Sequence, residues 1–397
     1  MLNSQNATTV TVTCTIMLQT LIHNAEERLR QIDWVRRAVL HDGQTADSSL
    51  AQPWITRSWQ RCLESGQRPH QTVVFDQVSI EAKRRSEESN HVLLEAARPT
   101  LHKLGQAIAD TRYFAILTNA EGMVVDVGGP IDRSDPRANV IARVGVDLSE
   151  RSVGTTAISA ALSELHPVWL HRGEHFYGSN SAYSCAGAPL FGPSGQCVGM
   201  LDVTGIDAQE RPELKYLLAQ SARSIENALT LERKHSLMVR LNWPGRLLGD
   251  ETDGLVCLDK DGWITGANQT ARQMAAQLIP TLAQDNVPIH SSEVFALPFE
   301  MLFDAAGRDA YGQPAPMDVP LWSGLRLQAL PQRARPVGQG ELVPRTPIGE
   351  HQSLRDVETA LIRKAVAQAK GNVMQAARAL GISRATVYRK LGNKSPA

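Results

Sequence analysis

Three absences in this sequence narrow the classes of protein it can belong to. The cysteines are few, odd in number and form no CxxC pair, which argues against a disulfide framework or zinc ribbon and favours reduced thiols in a cytoplasm. The dipeptide Gly-Lys does not occur, so the chain lacks the phosphate-binding loop GxxxxGKS/T. The stretch from Thr8 to Ile22 is too short and too polar to span a bilayer, and it lacks the features of a signal peptide. The five cysteines are Cys14, Cys62, Cys185, Cys197 and Cys257.

The chain as a whole also lacks net charge, since 41 Lys and Arg balance 41 Asp and Glu. The charges are unevenly placed, because residues 353–397 contain nine cations and only two acids. That segment carries a net charge of +7 and leaves −7 for the first 352 residues. Such asymmetry predicts a tail that binds nucleic acid, with an affinity that falls steeply as the salt concentration rises.

The same basic tail has the pattern of three short helices separated by glycines. Gly371 ends the first helix, and Asn372 is placed to cap the second. Gly381 provides the next turn, Ser383 caps the third helix, and Val387 points inward from it. Two short helices joined by a glycine turn, with cations on the outer surface of the second, are typical of a chain that inserts a helix into the major groove of DNA.

The stretch GNVMQAARALGISRATVYRKL resembles the Fis-type helix-turn-helix that ends bacterial enhancer-binding activators, and the resemblance covers 353–392. It implies a domain of three to four helices over 351–397 that binds double-stranded DNA as a homodimer. By the same resemblance, the residues that meet bases and phosphates are Ser383, Arg384, Thr386, Tyr388, Arg389 and Lys390.

The segment before the first strands is predicted to be helical. We expect residues 1–24 to be disordered or to reflect an upstream start assignment, and residues 25–89 to form an N-terminal helical region. From Ser79 to Asp110 the pattern predicts one long helix kinked at Pro99. The stretch ITRSWQRCLESGQRP resembles the segment that precedes the sensor in activators of acetoin and glycerol catabolism.

Between Tyr113 and Gly205 the pattern changes to short strands. YFAILT and MVVDVGG are separated by a hairpin signal at Asn119–Gly122, and a second hairpin turn is predicted at Phe191–Gly195. Antiparallel hairpins interrupted by the helix GTTAISAAL indicate an α+β sensor. GTTAISAAL followed by GEHFYGSNSAYSCAGAPLFGPSGQCVGMLDVTG is similar to the GAF domain of the same activators, and this resemblance covers 90–230.

The GAF-like domain is expected to hold a small-molecule effector between its sheet and that helix. The expected lining residues are Thr155, His175, Phe176, Tyr183 and Cys185. A metal site at His166, His171, His175 and Cys185 is the alternative. Because these residues lack ligand spacing, we predict packing or pocket roles for them, with no metal and no cofactor.

After the sensor, one long helix is predicted from Gln209 to Leu241, with apolar residues that form either a seam between two subunits or ordinary core. LVCLD, Lys260-Asp261-Gly262 and WITGAN then form strand, turn and strand, and residues 244–330 resemble a PAS domain. The resemblance implies a hairpin and the start of a helix at four residues: Asp259, Asp261, Gly262 and Asn268. Residues 331–350 are rich in proline and glycine and predict an extended linker.

The activators that the chain resembles carry an ATPase between sensor and helix-turn-helix, and this sequence leaves no room for one there. We therefore expect a cytoplasmic, ligand-responsive, sequence-specific transcriptional regulator that is not an enzyme and acts through RNA polymerase contact or occlusion. One alternative is an accessory DNA-bending protein that modulates a separate ATPase-bearing activator. Another is an enzyme that uses the His and Cys side chains of the sensor, although no nucleophile is paired with a base in the sequence.

Overall fold

The computed structural model describes residues 25–42, 52–75, 78–279, 288–306 and 316–334, together with seven residues of the basic tail. The chain divides into two units, Met1–Ala334 and Arg335–Ala397. The first unit is mixed α/β and contains two antiparallel sheets of five strands each. Within the described part of the chain, no helix is long and apolar enough to cross a membrane. Residues 1–24, predicted to be disordered or misassigned, lie outside the described residues.

Four helices precede the first sheet. They are α1 (25–40), α2 (Pro53–Glu64), α3 (Ile80–Ser89) and α4 (His91–Ala107). The prediction of one kinked helix over Ser79 to Asp110 was wrong, because the helix is interrupted at Asn90 and continues through Pro99. Asn90 turns its side-chain amide back to the carbonyl of Ser86 at 2.7 Å, and such local bonding favours the end of a helix.

The first sheet has the strand order β2-β1-β5-β4-β3. Its strands are β1 (Tyr113–Asn119), β2 (Val124–Gly128), β3 (Val168–His171), β4 (Tyr183–Phe191) and β5 (Cys197–Ile206). Both predicted hairpin turns are confirmed. Asn119 Oδ1 accepts hydrogen bonds from the amides of Glu121 and Met123, and Gly192 N donates to the carbonyl of Gln196 at 2.8 Å.

Alternating side chains divide the first sheet into two apolar faces. One face packs against α4 and against a later helix, α8 (Leu214–Leu231). The other face packs against α1 and α2 and against three short helices, α5 (Pro136–Ile141), α6 (Glu150–Val153) and α7 (Ala157–Glu164). The second face also contains the cavity described below.

The helix predicted over Gln209 to Leu241 was wrong in its second half. Helix α8 ends at Leu231, and a strand, β6 (Leu237–Asn242), follows it. The apolar residues proposed for a subunit seam pack instead on the first sheet, as in ordinary core: Leu214, Leu218 and Ile225 are all buried there. The alternating run LMVRLN joins a sheet because β7 and β10 pair with it on either side, which local periodicity cannot reveal.

The second sheet has the order β8-β7-β6-β10-β9. Its other strands are β7 (Gly254–Leu258), β8 (Ile264–Ala267), β9 (Met317–Pro320) and β10 (Arg326–Arg333), with helices α9 (Gln269–Met274), α10 (Ser291–Val294) and α11 (Phe299–Ala305). The predicted hairpin and helix start are confirmed: Asp259 Oδ1 accepts from the amides of Asp261 and Trp263, and Asn268 caps α9.

Strand β10 extends into the segment that was expected to open the linker. Pro331 pairs with Val239 of β6, so residues 331–333 belong to the sheet. Among the described residues, β9 pairs with β10 over Arg326–Ala329 and not at Pro331, where a residue without an amide hydrogen is tolerated at a sheet edge. Residues 335–350 lie outside the described residues.

In the second unit, the seven described residues are all helical. Ala377 and Val387 are buried, and Val373 packs against them. The inward orientation predicted for Val387 is confirmed.

Candidate functional site

A cavity lies between the first sheet and helix α7. Its volume, measured as the space open to the centre of a water molecule, is about 40 Å³. Since one water occupies about 10–15 Å³ by this measure, the cavity has room for about three waters or for a compact molecule of a few non-hydrogen atoms. Most of its wall is apolar, with Phe75, Ile116 and Ile158 among the lining residues. The polar residues of the wall are Thr156, His175, Asn180, Tyr183, Cys185, Asp202 and Thr204.

Three of the five residues predicted to line an effector pocket do line this cavity, namely His175, Tyr183 and Cys185. Thr155 and Phe176 are fully buried beside it and are not among the lining residues. The hydroxyl of Thr155 bonds to Ser58 Oγ of α2 at 2.7 Å, and Phe176 packs edge-on against the ring of Tyr177. These two residues support the wall from behind.

His175 is held as a neutral imidazole. Its Nδ1 lies 2.8 Å from the carbonyl oxygen of Arg172, so Nδ1 carries the hydrogen and Nε2 is left as an acceptor. Burial lowers the pKa of His175 to about 4. Nε2 lies 3.6 Å from Sγ of Cys185, and the neutral ring accepts the thiol hydrogen there.

Asp202 and Thr204 of β5 continue this polar chain, and the sequence did not identify them as site residues. Thr204 Oγ1 donates to Asp202 Oδ2 at 2.5 Å and lies 3.3 Å from Sγ of Cys185. Burial raises the pKa of Asp202 to about 7, although the hydrogen bond from Thr204 opposes that rise. The sequence did contain a signal for this site: an acidic residue within the apolar strand CVGMLDVTG, followed two residues later by a threonine on the same face of the strand.

The proposed enzyme alternative needs a reactive thiol or a metal. Burial raises the pKa of Cys185 well above its usual value, which disfavours the thiolate. Of the histidines named for a metal site, His171 bonds through Nδ1 to Ser184 Oγ at 2.8 Å, and His166 bonds to the carbonyl of Pro167. Among the described residues, no group of three or more His, Cys, Asp or Glu side chains could hold a metal ion.

Helix α1 holds the segment that positions His175. Arg36 donates to three backbone carbonyls of this segment, those of Gly173, His175 and Phe176. Arg28 forms an ion pair with the buried Glu174, whose carboxylate also accepts the amide hydrogen of His171. Residues that precede β1 therefore help to hold the segment beside the cavity.

Helix α2 is tied to α6 and to the loop over the cavity. Arg61 forms a bidentate ion pair with Glu150, with both distances 3.1 Å. Gln67, beyond the end of α2, donates to the carbonyls of Glu150 and Arg151. The loop that follows reaches the cavity, where Phe75 forms part of the wall.

Polar contacts join the two sheets of the first unit through α8 and the β4–β5 turn. Asn268 Nδ2 donates to Asn227 Oδ1 of α8 at 2.7 Å, and Arg272 donates to the carbonyl of Pro193 at 2.6 Å. Cys257 of β7 lies 3.6 Å from the carbonyl of Thr230 in α8. Helix α8 thus contacts the first sheet with one side and the second sheet with the other.

Two of the six predicted DNA-contacting residues are described. Arg384 is exposed on a helix, and Thr386, which directly precedes the buried Val387, is half-buried. Ser383, Tyr388, Arg389 and Lys390 lie outside the described residues.

Two segments of the chain match models of known protein families. Residues 32–227 match the family model described as MimR, N-terminal domain. Residues 353–393 match the model described as bacterial regulatory protein, Fis family.

Two relatives are each similar to part of this chain. The acetoin catabolism regulatory protein of Cupriavidus necator is 27% identical over 283 residues, which cover 68% of this chain and 41% of that protein. The propane 2-monooxygenase operon transcriptional activator MimR of Mycolicibacterium smegmatis is 29% identical over 178 residues, covering 44% of this chain and 29% of that protein. The chain spans less than half the length of either relative.

Among solved structures, the E. coli DhaR(N)-DhaL complex aligns with 71% of this chain and 100% of that one, at 14% identity and a TM-score of 0.42. By the two family matches, residues 32–227 are similar to a MimR N-terminal domain and residues 353–393 to a Fis-type helix-turn-helix. The relatives of the chain include transcriptional activators of acetoin and propane operons.

Proposed function

We propose that this protein is a sequence-specific DNA-binding transcriptional regulator that responds to a small molecule. The observation that carries the proposal is the Fis-type match over 353–393, which coincides with the segment of net charge +7. Such a segment supplies both phosphate contacts and a recognition helix. By analogy with symmetric helix-turn-helix proteins, a homodimer would bind two inverted half-sites.

The sensing role is assigned to the cavity of the first sheet, which we interpret as a GAF-like domain. The second sheet, interpreted as PAS-like, would relay the signal through its contacts with α8 and the β4–β5 turn. The names of the relatives connect them with acetoin and propane metabolism, which supports a small organic effector. An effector shifts the regulator between two states only as far as its affinities for those states differ.

We further propose that the chain acts without hydrolysing ATP, because no Gly-Lys dipeptide occurs in the sequence. Contact with RNA polymerase or occlusion of its binding site would then be the output. This mechanism differs from that of the ATPase-bearing activators that the sequence resembles.

In vitro selection of random DNA duplexes by the full chain tests the DNA-binding proposal. The wild type should enrich an inverted repeat. The double variant Arg384→Ala with Arg389→Ala should lose that enrichment, while its first unit, which contains the cavity, remains folded. Enrichment of bent or AT-rich DNA without a repeat would contradict sequence-specific regulation and support the accessory DNA-bending alternative.

A further inference from the structure

We propose that the cavity selects a small, uncharged organic molecule through a hydroxyl group that donates a hydrogen bond to Oδ1 of Asp202. This inference rests on the proposed sensing role of the cavity and adds the chemical class of the ligand. Three properties of the cavity support the inference: the hydrogen bonds made by its wall, the charge of its wall and its volume.

The wall contains a vacant acceptor. Asp202 lies in the middle of the sheet, where its backbone pairs with Ile116 of β1 and Gly187 of β4. The side chain is fully buried and lines the cavity. Oδ2 accepts from Thr204, whereas Oδ1 has no hydrogen-bond partner among the described residues. A buried polar atom without a partner has lost its hydration without compensation, so a ligand donor that reaches Oδ1 binds more tightly.

The donors around this acceptor are already engaged. His175 donates from Nδ1 to a backbone carbonyl, Cys185 is placed to donate to Nε2 of His175, and the hydroxyl of Thr204 is directed at Asp202. Tyr183 donates to the carbonyl of Arg137 at 3.3 Å. A ketone needs a donor from the wall, and this polar chain has none to spare when Asp202 is ionised, whereas an alcohol brings the donor that Oδ1 then lacks.

The size of the cavity and the charge of its wall restrict the class of ligand further. Room for about three waters limits the ligand to a few non-hydrogen atoms, and the apolar wall favours a short aliphatic body. A carboxylate ligand would be repelled by Asp202 when that residue is ionised. An ammonium ligand would be attracted by ionised Asp202, but it carries three donors against the one vacant acceptor found among the described residues of the wall, so its desolvation would be poorly compensated.

A matched series of four-carbon probes tests this inference on the full chain. The probes are 2-butanol, 2-butanone, sec-butylamine and butyrate, and binding is measured by isothermal titration calorimetry above pH 8, where Asp202 is ionised. We expect 2-butanol to bind at least about tenfold more tightly than 2-butanone, and butyrate not to bind. In Asp202→Leu, which removes the acceptor, the affinity for 2-butanol should fall to that for 2-butanone.

Asp202→Asn is the size-matched second variant. Its amide group can donate to a carbonyl, so the preference for the alcohol over the ketone should shrink or reverse, and thermal melts establish that both variants fold. Equal affinities for alcohol and ketone that neither variant changes would overturn the hydroxyl inference but leave the cavity as a ligand site. Tighter binding of the amine would also overturn it. If the wild type bound no probe, both this inference and the proposed sensing role would be contradicted.

Discussion

At the scale of single residues, the ionisation of Asp202 links the stability of the protein to pH. The folded-state pKa of about 7 lies above the ordinary value of 3.8, because burial disfavours the carboxylate. A raised carboxyl pKa contributes stability that is fully present below pH 3.8 and is lost as the pH rises through about 7. Glu226 behaves in the same way, since burial raises its pKa to about 7 as well.

We therefore predict that Asp202→Leu gains stability relative to the wild type as the pH rises. Between pH 5 and pH 8 the difference in the free energy of unfolding should change by about 2 to 3 kcal/mol in favour of the variant. Urea titrations of both proteins at each pH measure this difference, and the contribution of Glu226 cancels between them. A pH-independent difference would show that Asp202 does not titrate in this range.

A second residue-scale prediction concerns the close contact of two strands at Gly199. A Cβ atom at this position would lie 2.2 Å from the carbonyl oxygen of Thr118 on β1. Gly199→Ala should therefore destabilise the protein by about 3 kcal/mol or more, because backbone cannot yield as a flexible side chain can.

Gly66→Ala is the matched control for this substitution. Gly66 has a φ of +87°, and no atom of the residues that the structure describes lies within 4 Å of an added Cβ, so the left-handed backbone is what opposes alanine. We expect it to cost about 1 kcal/mol. Equal losses of stability from the two substitutions, compared by denaturant titration, would contradict the close-contact explanation for Gly199.

At the scale of secondary-structure elements, α1 is predicted to stabilise the cavity through Arg36. Its guanidinium donates to carbonyls from Gly173 to Phe176. Arg36→Met should therefore destabilise the protein by about 2–4 kcal/mol and speed amide hydrogen exchange in the segment that contains His175.

Arg30→Met serves as the control for Arg36→Met. Arg30 is exposed and, within the described part of the chain, forms ion pairs only with Glu26 and Glu27 of its own helix, so its removal should change stability by less than about 0.5 kcal/mol. If the Arg36 variant exchanged no faster than the Arg30 variant at His175, α1 would not support the cavity.

The elements that could be predicted from the sequence were those whose structure is determined by residues close together in the chain. The hairpins at Asn119 and Phe191 have turn residues between short β-rich runs, and the buried Val387 follows from helical spacing. Strand β6 was missed because its pairing partners lie far away in sequence, at 254–258 and 326–333. Asp202 was missed for a related reason: its relation to Cys185 and His175 exists only when β5 lies beside β4.

At the scale of the whole molecule, the uneven distribution of charge predicts how DNA affinity varies with salt. Lys394→Ala should weaken binding to all sequences alike and reduce the slope of log K against log salt by about one. Arg384→Ala, at an exposed helical position, should instead relax the preference for particular bases. Fluorescence anisotropy at several salt concentrations, with operator and scrambled duplexes, separates these effects, and identical losses on both duplexes from both variants would contradict the assigned roles.

The central claim, that the protein is a sequence-specific regulator, is tested most directly by its genome-wide occupancy in cells. Wild type and the double variant Arg384→Ala with Arg389→Ala would be compared at equal abundance. We predict discrete wild-type peaks that share an inverted repeat and disappear in the variant, with the adjacent genes indicating the metabolism of the effector. Diffuse occupancy, or peaks that persist in the variant, would contradict the claim and indicate that the chain reaches DNA only through a partner.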